Sequence, residues 1–256
     1  MKLIASDFDG TLSVNGCVTP ENAKAVTRWQ EAGNLFVLVT GRPYLFALDA
    51  WHAMQESGMH CDALICCNGA MFLDEAGDVT HKVCVDGAVL PPLVELIYRH
   101  DPTLVVFSVG GNRREYSEEN GEMVYYPEKD GGKIPQFLRE PHDFVQICVG
   151  LRNAEECLTI ADDINRTFPG TLDAKPNGYS CDITVSGIQK PAGIHRFVET
   201  LPEKPEDVIT VGDNLNDLSM LREFTGYAIE AGSPKAHSAA GRTVPSVAAL
   251  IDLLLQ

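Results

Sequence analysis

The stretch that decides the fold is "LIASDFDGT", residues 3–11, in which a short apolar run ends at two aspartates, Asp7 and Asp9. Such a run predicts a buried strand, and side chains two positions apart on a strand lie on the same face. Two like charges this close repel each other, and the end of a strand has no structural need for either one. The pair therefore points to a function that the two carboxylates carry out together.

The neighbouring segments predict an open α/β sheet. "LFVLVT" at 35–40 and "ALICC" at 63–67 are almost wholly apolar, which is typical of strands buried on both faces of a parallel sheet. Helices are predicted before and after the first of these strands, over 19–33 and over 41–58, each ending at a glycine. This β-α-β-α-β alternation predicts an α/β protein with a Rossmann-like, doubly wound, mostly parallel core sheet.

The order of elements changes in the middle of the chain. From about residue 85 to 185, strands and helices follow one another in the manner of an α+β layer, and a long polar stretch covers 110–133. The buried-strand pattern returns with "DVITV" at 207–211. We therefore predict a core domain formed by 1–84 and 186–256, with an inserted α+β cap domain at 85–185. The polar stretch is predicted to be a mobile loop.

Composition limits the class of partner. The chain has 256 residues and a formal net charge of −16, from 36 acidic and 20 basic residues, which argues against nucleic acid as a partner. No apolar window approaches the ~18 residues of a membrane span, and the N-terminus lacks the pattern of a signal peptide. We expect a soluble cytoplasmic protein, either a monomer or a homodimer, that binds neither nucleic acid nor membranes.

The eight cysteines contain no CxxC pair, so neither a zinc ribbon nor a thioredoxin-like motif is indicated. Buried free thiols in a reducing compartment are the expected state. Cys66 and Cys67 are adjacent in an apolar run, and strand alternation predicts that their side chains point to opposite faces.

Three predicted strand ends carry polar residues. "DFDGT" begins at Asp7, "TGR" at Thr40, and "GDNLND" contains Asp213. Sites in open α/β sheets form at the carboxyl ends of strands, so Asp7, Asp9 and Asp213 are expected to converge. Converging carboxylates repel one another unless a cation neutralises them, and Mg²⁺ is the usual ion where phosphates react. The sequence therefore predicts a magnesium site at this edge of the sheet.

These motifs, together with a lysine at 190, resemble the four motifs of the haloacid dehalogenase superfamily, and they are most similar to its Cof-type phosphatases, which carry a C2-type α/β cap. The resemblance covers the whole chain and implies that Asp7 is a nucleophile forming an aspartyl-phosphate. It implies that Asp9 is the general acid and base. Lys190 would then neutralise charge shared by Asp7 and the phosphoryl group.

The resemblance also implies roles for the remaining residues. The metal would be held by the Asp7 side chain, the Asp9 carbonyl and the Asp213 side chain. Other polar residues would bind substrate or support the site. The substrate-binding candidates are Thr40, Gly41, Arg42 and Asn216, and the supporting candidates are Asn214 and Asp217. Arg42 could equally form a surface ion pair, Asn214 could simply cap a helix, and Asp217 could serve the helix dipole.

The expected activity is hydrolysis of a small phosphorylated metabolite, with a sugar phosphate as the first candidate and Mg²⁺ as the cofactor. The cap is expected to set substrate specificity. Two alternatives stay open at this point. One is a phosphomutase of the same fold, which would keep its aspartyl-phosphate for transfer. The other is a catalytically silent sensor of a phosphorylated ligand.

Overall fold

The computed structural model of the protein describes residues 1–74, 77–109 and 122–256. The section 110–121 of the predicted mobile loop therefore lies outside the described residues. The described strands are β1 Leu3–Ser6, β2 Ser13–Val14, β3 Cys17–Val18, β4 Leu35–Val39, β5 Ala63–Cys66, β6 Met71–Leu73, β7 Val79–Lys82, β8 Leu104–Val109, β9 Glu122–Tyr125, β10 Phe144–Gly150, β11 Leu172–Asn177, β12 Ser180–Val185, β13 Val208–Gly212, β14 Thr225–Ile229 and β15 Thr243–Val244.

The α-helices within these described ranges are α1 Pro20–Glu31, α2 Tyr44–Glu56, α3 Leu90–Tyr98, α4 Ala154–Thr167, α5 Lys190–Thr200, α6 Leu218–Glu223, α7 Pro234–Ala240 and α8 Val247–Leu254. Short 3₁₀ turns occur at Gly87–Val89, Gln136–Arg139 and Leu215–Asp217, and Cys67–Gly69 forms a short turn with non-helical backbone. Not one of the helices in the described part of the chain combines the length and the apolar character that crossing a membrane requires.

The chain forms two compact units. The first contains Met1–Gly41, Phe46–Thr80 and Gln189–Gln256, and the second contains Arg42–Leu45 and His81–Ile188. The central sheet has the order β15-β14-β13-β1-β4-β5-β6-β7. All pairs from β15 to β5 are parallel, whereas β5 and β6 are antiparallel. The prediction of a mostly parallel α/β core sheet is therefore confirmed.

Strand β1 lies at the centre of this sheet, between β4 and β13. Its residues Leu3, Ile4 and Ala5 are fully buried, as are most side chains of both neighbouring strands. Because the three strands run in parallel, their carboxyl ends reach the same edge of the sheet. The segments that follow these strands are "DFDGT", "TGR" and the loop beginning at Asp213.

The local sequence determines where helix α1 begins and ends. Thr19 caps it by accepting a hydrogen bond from the Asn22 amide at 3.2 Å, and Pro20 occupies the first helical position. Its apolar face, which includes Val26 and Trp29, is buried in the protein. The sequence predicted this helix start, and Gly33, at φ 81°, lies just beyond the end of the helix, as predicted.

The second unit contains a separate five-stranded antiparallel sheet with the order β11-β12-β10-β8-β9. Helices α3 and α4 contribute Leu93, Ile97 and Ile160 to a hydrophobic cluster that also contains sheet residues such as Ile147. Asn153 caps α4 by accepting a hydrogen bond from the Glu156 amide at 2.9 Å. This additional sheet is consistent with a cap inserted into the core fold.

One local expectation is wrong, and two local features were not foreseen. Strand β9 lies within the stretch predicted to be a loop, and it pairs with β8. The chain also forms a small hairpin from β2 and β3, which are too short to produce a periodic pattern. Strand β5 ends at Cys66, and Cys67 has left-handed backbone (φ 52°), so strand alternation does not govern the two side chains and both are buried. All eight cysteines are free thiols, of which Cys17 alone is exposed.

Candidate active site

A buried lysine joins two aspartates at the carboxyl edge of the central sheet. The Nζ of Lys190 donates hydrogen bonds to Oδ1 of Asp7 at 2.5 Å and to Oδ1 of Asp217 at 2.6 Å. The Lys190 and Asp217 side chains are fully inaccessible to solvent, and that of Asp7 is nearly so. Buried charges are tolerated only when they are paired and hydrogen-bonded, which this trio achieves.

The backbone explains why these side chains meet. The amide of Asp7 donates to the Val211 carbonyl at 2.9 Å, which extends the β1–β13 ladder by one residue past β1. Lys190 is the first residue of α5 and is followed by Pro191, whose fixed φ suits the first turn of a helix. The start of α5 therefore places the Lys190 ammonium against the end of β1.

Asp217 is fixed from two sides. Its Oδ1 accepts from Lys190, while its Oδ2 accepts from the backbone amides of Asp213 and Asn214, each at 3.0 Å. Asn214 caps the 3₁₀ turn Leu215–Asp217, and its side chain accepts from the Leu215 amide at 2.8 Å. A Cβ on Gly212 would lie 2.5 Å from Cγ of Asp217, so only glycine leaves room for this carboxylate.

Asp213 is held by the first motif and by the loop after β14. Thr11 Oγ1 donates to Asp213 Oδ1 at 2.9 Å, and the Ser233 amide donates to the Asp213 carbonyl at 2.7 Å. Gly10 has φ 77°, and a Cβ there would lie 2.6 Å from Asp213 Oδ2. Glycine is thus required at position 10 both for its left-handed backbone and for this close approach.

Burial and charge shift the proton affinities of these groups. Burial raises the pKa of Asp7 to about 8, because the opposing attraction of Lys190 is offset by repulsion from Asp217 and Asp213. Burial also raises the pKa of Asp213, and Asp217 adds to this effect while the Thr11 hydroxyl opposes it. Burial would lower the pKa of Lys190, but the carboxylates of Asp217 and Asp7 outweigh it and raise the pKa above the ordinary value.

The acidic groups fit a divalent metal ion. Among the described residues, Asp7, Asp213 and Asp217 each offer a carboxylate oxygen, and these oxygens all lie within 4.8 Å of one another. An all-oxygen donor set is what Mg²⁺ prefers. The oxygens of Asp217 already accept three hydrogen bonds, so Asp7 and Asp213 are better suited as ligands and Asp217 as a support.

The segment after β4 lies beside two asparagines. Thr40 is buried, its amide donates to the Ile65 carbonyl at 2.8 Å, and its own carbonyl accepts from the Asn68 amide at 3.2 Å. A Cβ on Gly41 would lie 2.9 Å from Asn68 Oδ1 and 3.4 Å from Asn216 Nδ2. Asn216 therefore lies near Gly41, and both belong to the set that the sequence assigned to substrate.

Two other predicted residues are more accessible to solvent than Asp7 and Lys190. Asp9 is exposed and its backbone forms an isolated bridge with Ser13. Arg42 directly follows Gly41 and is half-buried. The roles assigned to Asp9 and Arg42 stay predictions.

Sequence reasoning missed two residues of this site. Thr11 entered the sequence analysis only as part of the DFDGT motif, but its side chain donates to Asp213, 202 residues away. Asn68 was not singled out, although it touches the segment after β4. The only signal for Asn68 was its place directly after a buried strand, where the "NG" pair suggested no more than a turn.

Comparison with known proteins agrees with this geometry. A family model described as haloacid dehalogenase-like hydrolase matches residues 4–249. The chain is 22% identical over 236 residues to 5-amino-6-(5-phospho-D-ribitylamino)uracil phosphatase YcsE of Bacillus subtilis, with coverage of 91% of this chain and 84% of that protein. It is 24% identical over 253 residues to pyridoxal phosphate phosphatase YbhA of Escherichia coli, with coverage of 91% and 88%.

A solved structure is similar in fold. The sugar phosphatase BT4131, of subclass IIB of the same superfamily, superposes with a TM-score of 0.72 at 18% sequence identity, covering 100% of this chain and 98% of that one. At this level of identity the similarity concerns the fold alone. The match of the family model over nearly the whole chain shows that this protein belongs to the haloacid dehalogenase-like hydrolases and is an enzyme of the phosphatase type.

Proposed function

We propose that the enzyme hydrolyses the phosphate monoester of a small phosphorylated metabolite of the sugar-phosphate class, with Mg²⁺ as cofactor and Asp7 as nucleophile. The observation that carries the proposal is the buried contact of Lys190 with both Asp7 and Asp217. A carboxylate held against a buried ammonium, at the edge of the sheet where ligands bind, is suited to attack an anionic phosphoryl group.

In the first step, an oxygen of Asp7 attacks phosphorus and the bond from phosphorus to the leaving oxygen breaks, which leaves an aspartyl-phosphate. The leaving alkoxide takes a proton from the Asp9 carboxyl group and departs as an alcohol. Asp9 is exposed. This suits its proposed role, because the group must reach the leaving alcohol and later a water molecule. Lys190 stays charged throughout, because its carboxylate partners raise its pKa.

In the second step, the Asp9 carboxylate takes a proton from a water as that water attacks the phosphorus of the intermediate. The acyl phosphate bond breaks, inorganic phosphate leaves and Asp7 is restored. Thr40, Gly41 and Asn216 are proposed to contact the phosphoryl oxygens, and Arg42 is proposed to contact the substrate. Asn214 and Asp217 are proposed to support the site through the capped turn and the bond to Lys190.

Mg²⁺ is proposed to bind the side chains of Asp7 and Asp213 and the carbonyl of Asp9. When bound, it supplies positive charge that draws a phosphate group toward a carboxylate that would otherwise repel it. The carboxylates of Asp7 and Asp213 support this assignment, since both have a raised pKa that a nearby cation would lower. The cytoplasm is the proposed compartment, because all eight cysteines are free.

We also propose that the inserted cap, predicted at 85–185, sets the substrate preference. On its sheet, Gln146 is in register with Ser108 and Thr184, and all three are buried polar residues. Ile147, the next residue on the strand, belongs to the hydrophobic cluster and points to the other face. We propose that substitutions on this polar face of the cap sheet change which phosphate ester the enzyme prefers.

The test is phosphate release from a panel of sugar phosphates, other phosphorylated metabolites and p-nitrophenyl phosphate, with Mg²⁺ or with EDTA. We expect release that EDTA abolishes and that Asp7→Asn lowers by at least a thousandfold. Absence of release across the panel would contradict the proposal and favour a ligand sensor. Activity that requires a bisphosphate activator would indicate a phosphomutase.

A matched pair of variants tests the metal assignment. Asp207 and Asp213 flank the same strand, β13, at its amino and carboxyl ends, and Asp207 accepts a hydrogen bond from Thr225 Oγ1 at 2.9 Å. Asp213→Asn is expected to abolish Mg²⁺-dependent activity, whereas Asp207→Asn should retain it. Equal losses in the two variants would show that the effect is a general one on the fold.

A further inference from the structure

The turn after β5 has an unusual backbone. Cys67, Asn68 and Gly69 are three consecutive residues with positive φ, at 52°, 55° and 101°. Two of them are not glycine, and left-handed backbone is sterically disfavoured for residues that carry a Cβ. Such conformations persist only where the surrounding contacts fix them, and they concentrate at functional sites.

One side of this turn contacts the segment that follows β4. The Asn68 amide donates to the Thr40 carbonyl at 3.2 Å, and its side-chain Oδ1 lies 2.9 Å from the position of a Cβ on Gly41. Asn216 Nδ2 lies 3.4 Å from the same point. Asn68 and Asn216 therefore flank Gly41 together, and a larger side chain at position 41 would require the Asn68 side chain to shift.

The other side of the turn contacts the start of α5. A Cβ on Gly69 would lie 2.5 Å from the carbonyl oxygen of Gln189, the residue directly before Lys190. One helical turn further on, a Cβ on Gly193 would lie 2.8 Å from the Cα of Gly69. The backbone of the turn packs directly against the backbone at the start of α5. A shift of the turn would therefore move the Cα of Lys190.

We propose that the left-handed turn Cys67–Gly69 sets the position of Thr40–Gly41 relative to Lys190, and that Asn68 is the positioning residue within it. The inference rests on the proposed function, because these are the groups assigned to the phosphoryl oxygens and to the nucleophile. Asparagine suits the position, since it tolerates left-handed backbone better than most residues.

The main test is Asn68→Gly, which keeps the left-handed backbone and the amide bonded to Thr40 but removes the side chain. We expect an unchanged Tm, a kcat/KM at least tenfold lower, and a weaker inhibition constant for inorganic phosphate. Asp101→Gly is the matched control, since Asp101 is an exposed left-handed residue (φ 48°) of the second unit, and it should leave all three quantities unchanged.

The second test is Gly69→Ala, compared with Gly33→Ala. Both glycines have positive φ, at 101° and 81°, so alanine strains the backbone at either position. A Cβ on Gly33 meets nothing within 4 Å, whereas one on Gly69 strikes the Gln189 carbonyl. Both variants should lose stability, but only Gly69→Ala should lower kcat in the folded enzyme, measured well below its Tm.

The outcomes separate the inference from the proposed function. An inactive wild type would overturn both. An active wild type together with an Asn68→Gly variant whose kcat/KM and phosphate inhibition stay within twofold of wild type would overturn the positioning role alone. A loss of activity in Asn68→Gly that merely follows a lower Tm would also overturn it, and this comparison decides the question even if Gly69→Ala fails to fold.

Discussion

The ammonium of Lys190 lies 2.5 Å from the Asp7 carboxylate, although 183 residues separate the two in sequence and both side chains are buried. The contact joins the first strand of the central sheet to the helix that follows the inserted unit. The proposed nucleophile and the cation that contacts it thus come from two distant parts of the sequence rather than from one local motif.

Lys190→Met is expected to leave Asp7 and Asp217 as two buried carboxylates without a cation. Removing one partner of a buried ion pair costs about 3–5 kcal/mol, so the free energy of unfolding in urea should fall by this amount. Phosphatase activity should fall by at least a hundredfold.

The matched control for this variant is Lys204→Met, near the other end of α5. Lys204 Nζ is exposed and donates to three backbone carbonyls, those of Val198, Glu199 and Leu201. This variant should retain full activity with a small loss of stability. If Lys190→Met kept activity within tenfold of wild type, the assigned role of the lysine would be wrong.

Thr11→Val should weaken metal binding. The variant removes the hydroxyl that donates to Asp213 Oδ1, and that bond opposes the rise in the pKa of Asp213. A hydrogen bond to a charged group contributes about 1.5–3 kcal/mol, so the Mg²⁺ concentration for half-maximal activity should rise about tenfold or more. Thr11→Ser should restore the wild-type value, and an unchanged Mg²⁺ dependence in the valine variant would refute the prediction.

Mg²⁺ affinity should increase between pH 6 and pH 8. The pKa of Asp7 without the ion is about 8, and Mg²⁺ binds the ionised carboxylate, so below pH 8 the ion must displace a proton. Affinity should therefore fall by up to tenfold for each pH unit below 8 and level off above it. Calorimetric titration at pH 6, 7, 8 and 9 measures this, and a constant affinity over that range would count against the raised pKa.

Asp217→Asn should destabilise the protein even though it preserves shape. The carboxylate accepts from Lys190 on one oxygen and from two amides on the other, whereas an asparagine must present its NH₂ group to one of these donors. We expect a loss of about 3 kcal/mol in unfolding free energy, comparable to a broken buried pair.

Asp173→Asn provides the comparison for Asp217→Asn. Asp173 also accepts from a backbone amide, that of Gly187 at 3.0 Å, but its other hydrogen bond comes from the neutral hydroxyl of Ser186, and the nearby Lys175 is only partly buried. Its substitution should cost less than half as much in urea unfolding. Similar costs for the two substitutions would mean that the buried cation contributes little.

The core of the fold could be predicted because its strands are continuous apolar runs. β1 and β4 lie inside a parallel sheet, and burial on both faces leaves a signal that does not depend on distant residues. The convergence of Asp7 and Asp213 followed from the same sheet rule. The short hairpin of β2 and β3 left no such signal, because strands of two residues cannot show a period.

The contacts that complete the site were harder to foresee. The bond from Thr11 to Asp213 joins residues that only the tertiary fold brings together. The left-handed turn at Cys67 and Asn68 could not be predicted either, since periodicity records which face a side chain occupies and not the sign of φ. Asn68 was therefore visible only as a residue in a turn.

The accessibility of the free thiols to an alkylating reagent can be used to detect local opening of the fold. In the native state Cys17 is exposed and Cys84 and Cys148 are partly exposed, whereas Cys61, Cys66 and Cys67 are buried. Loosening of the segment that carries Cys67 would admit the reagent. The rate of alkylation at that residue therefore measures local opening beside the candidate active site, independently of turnover.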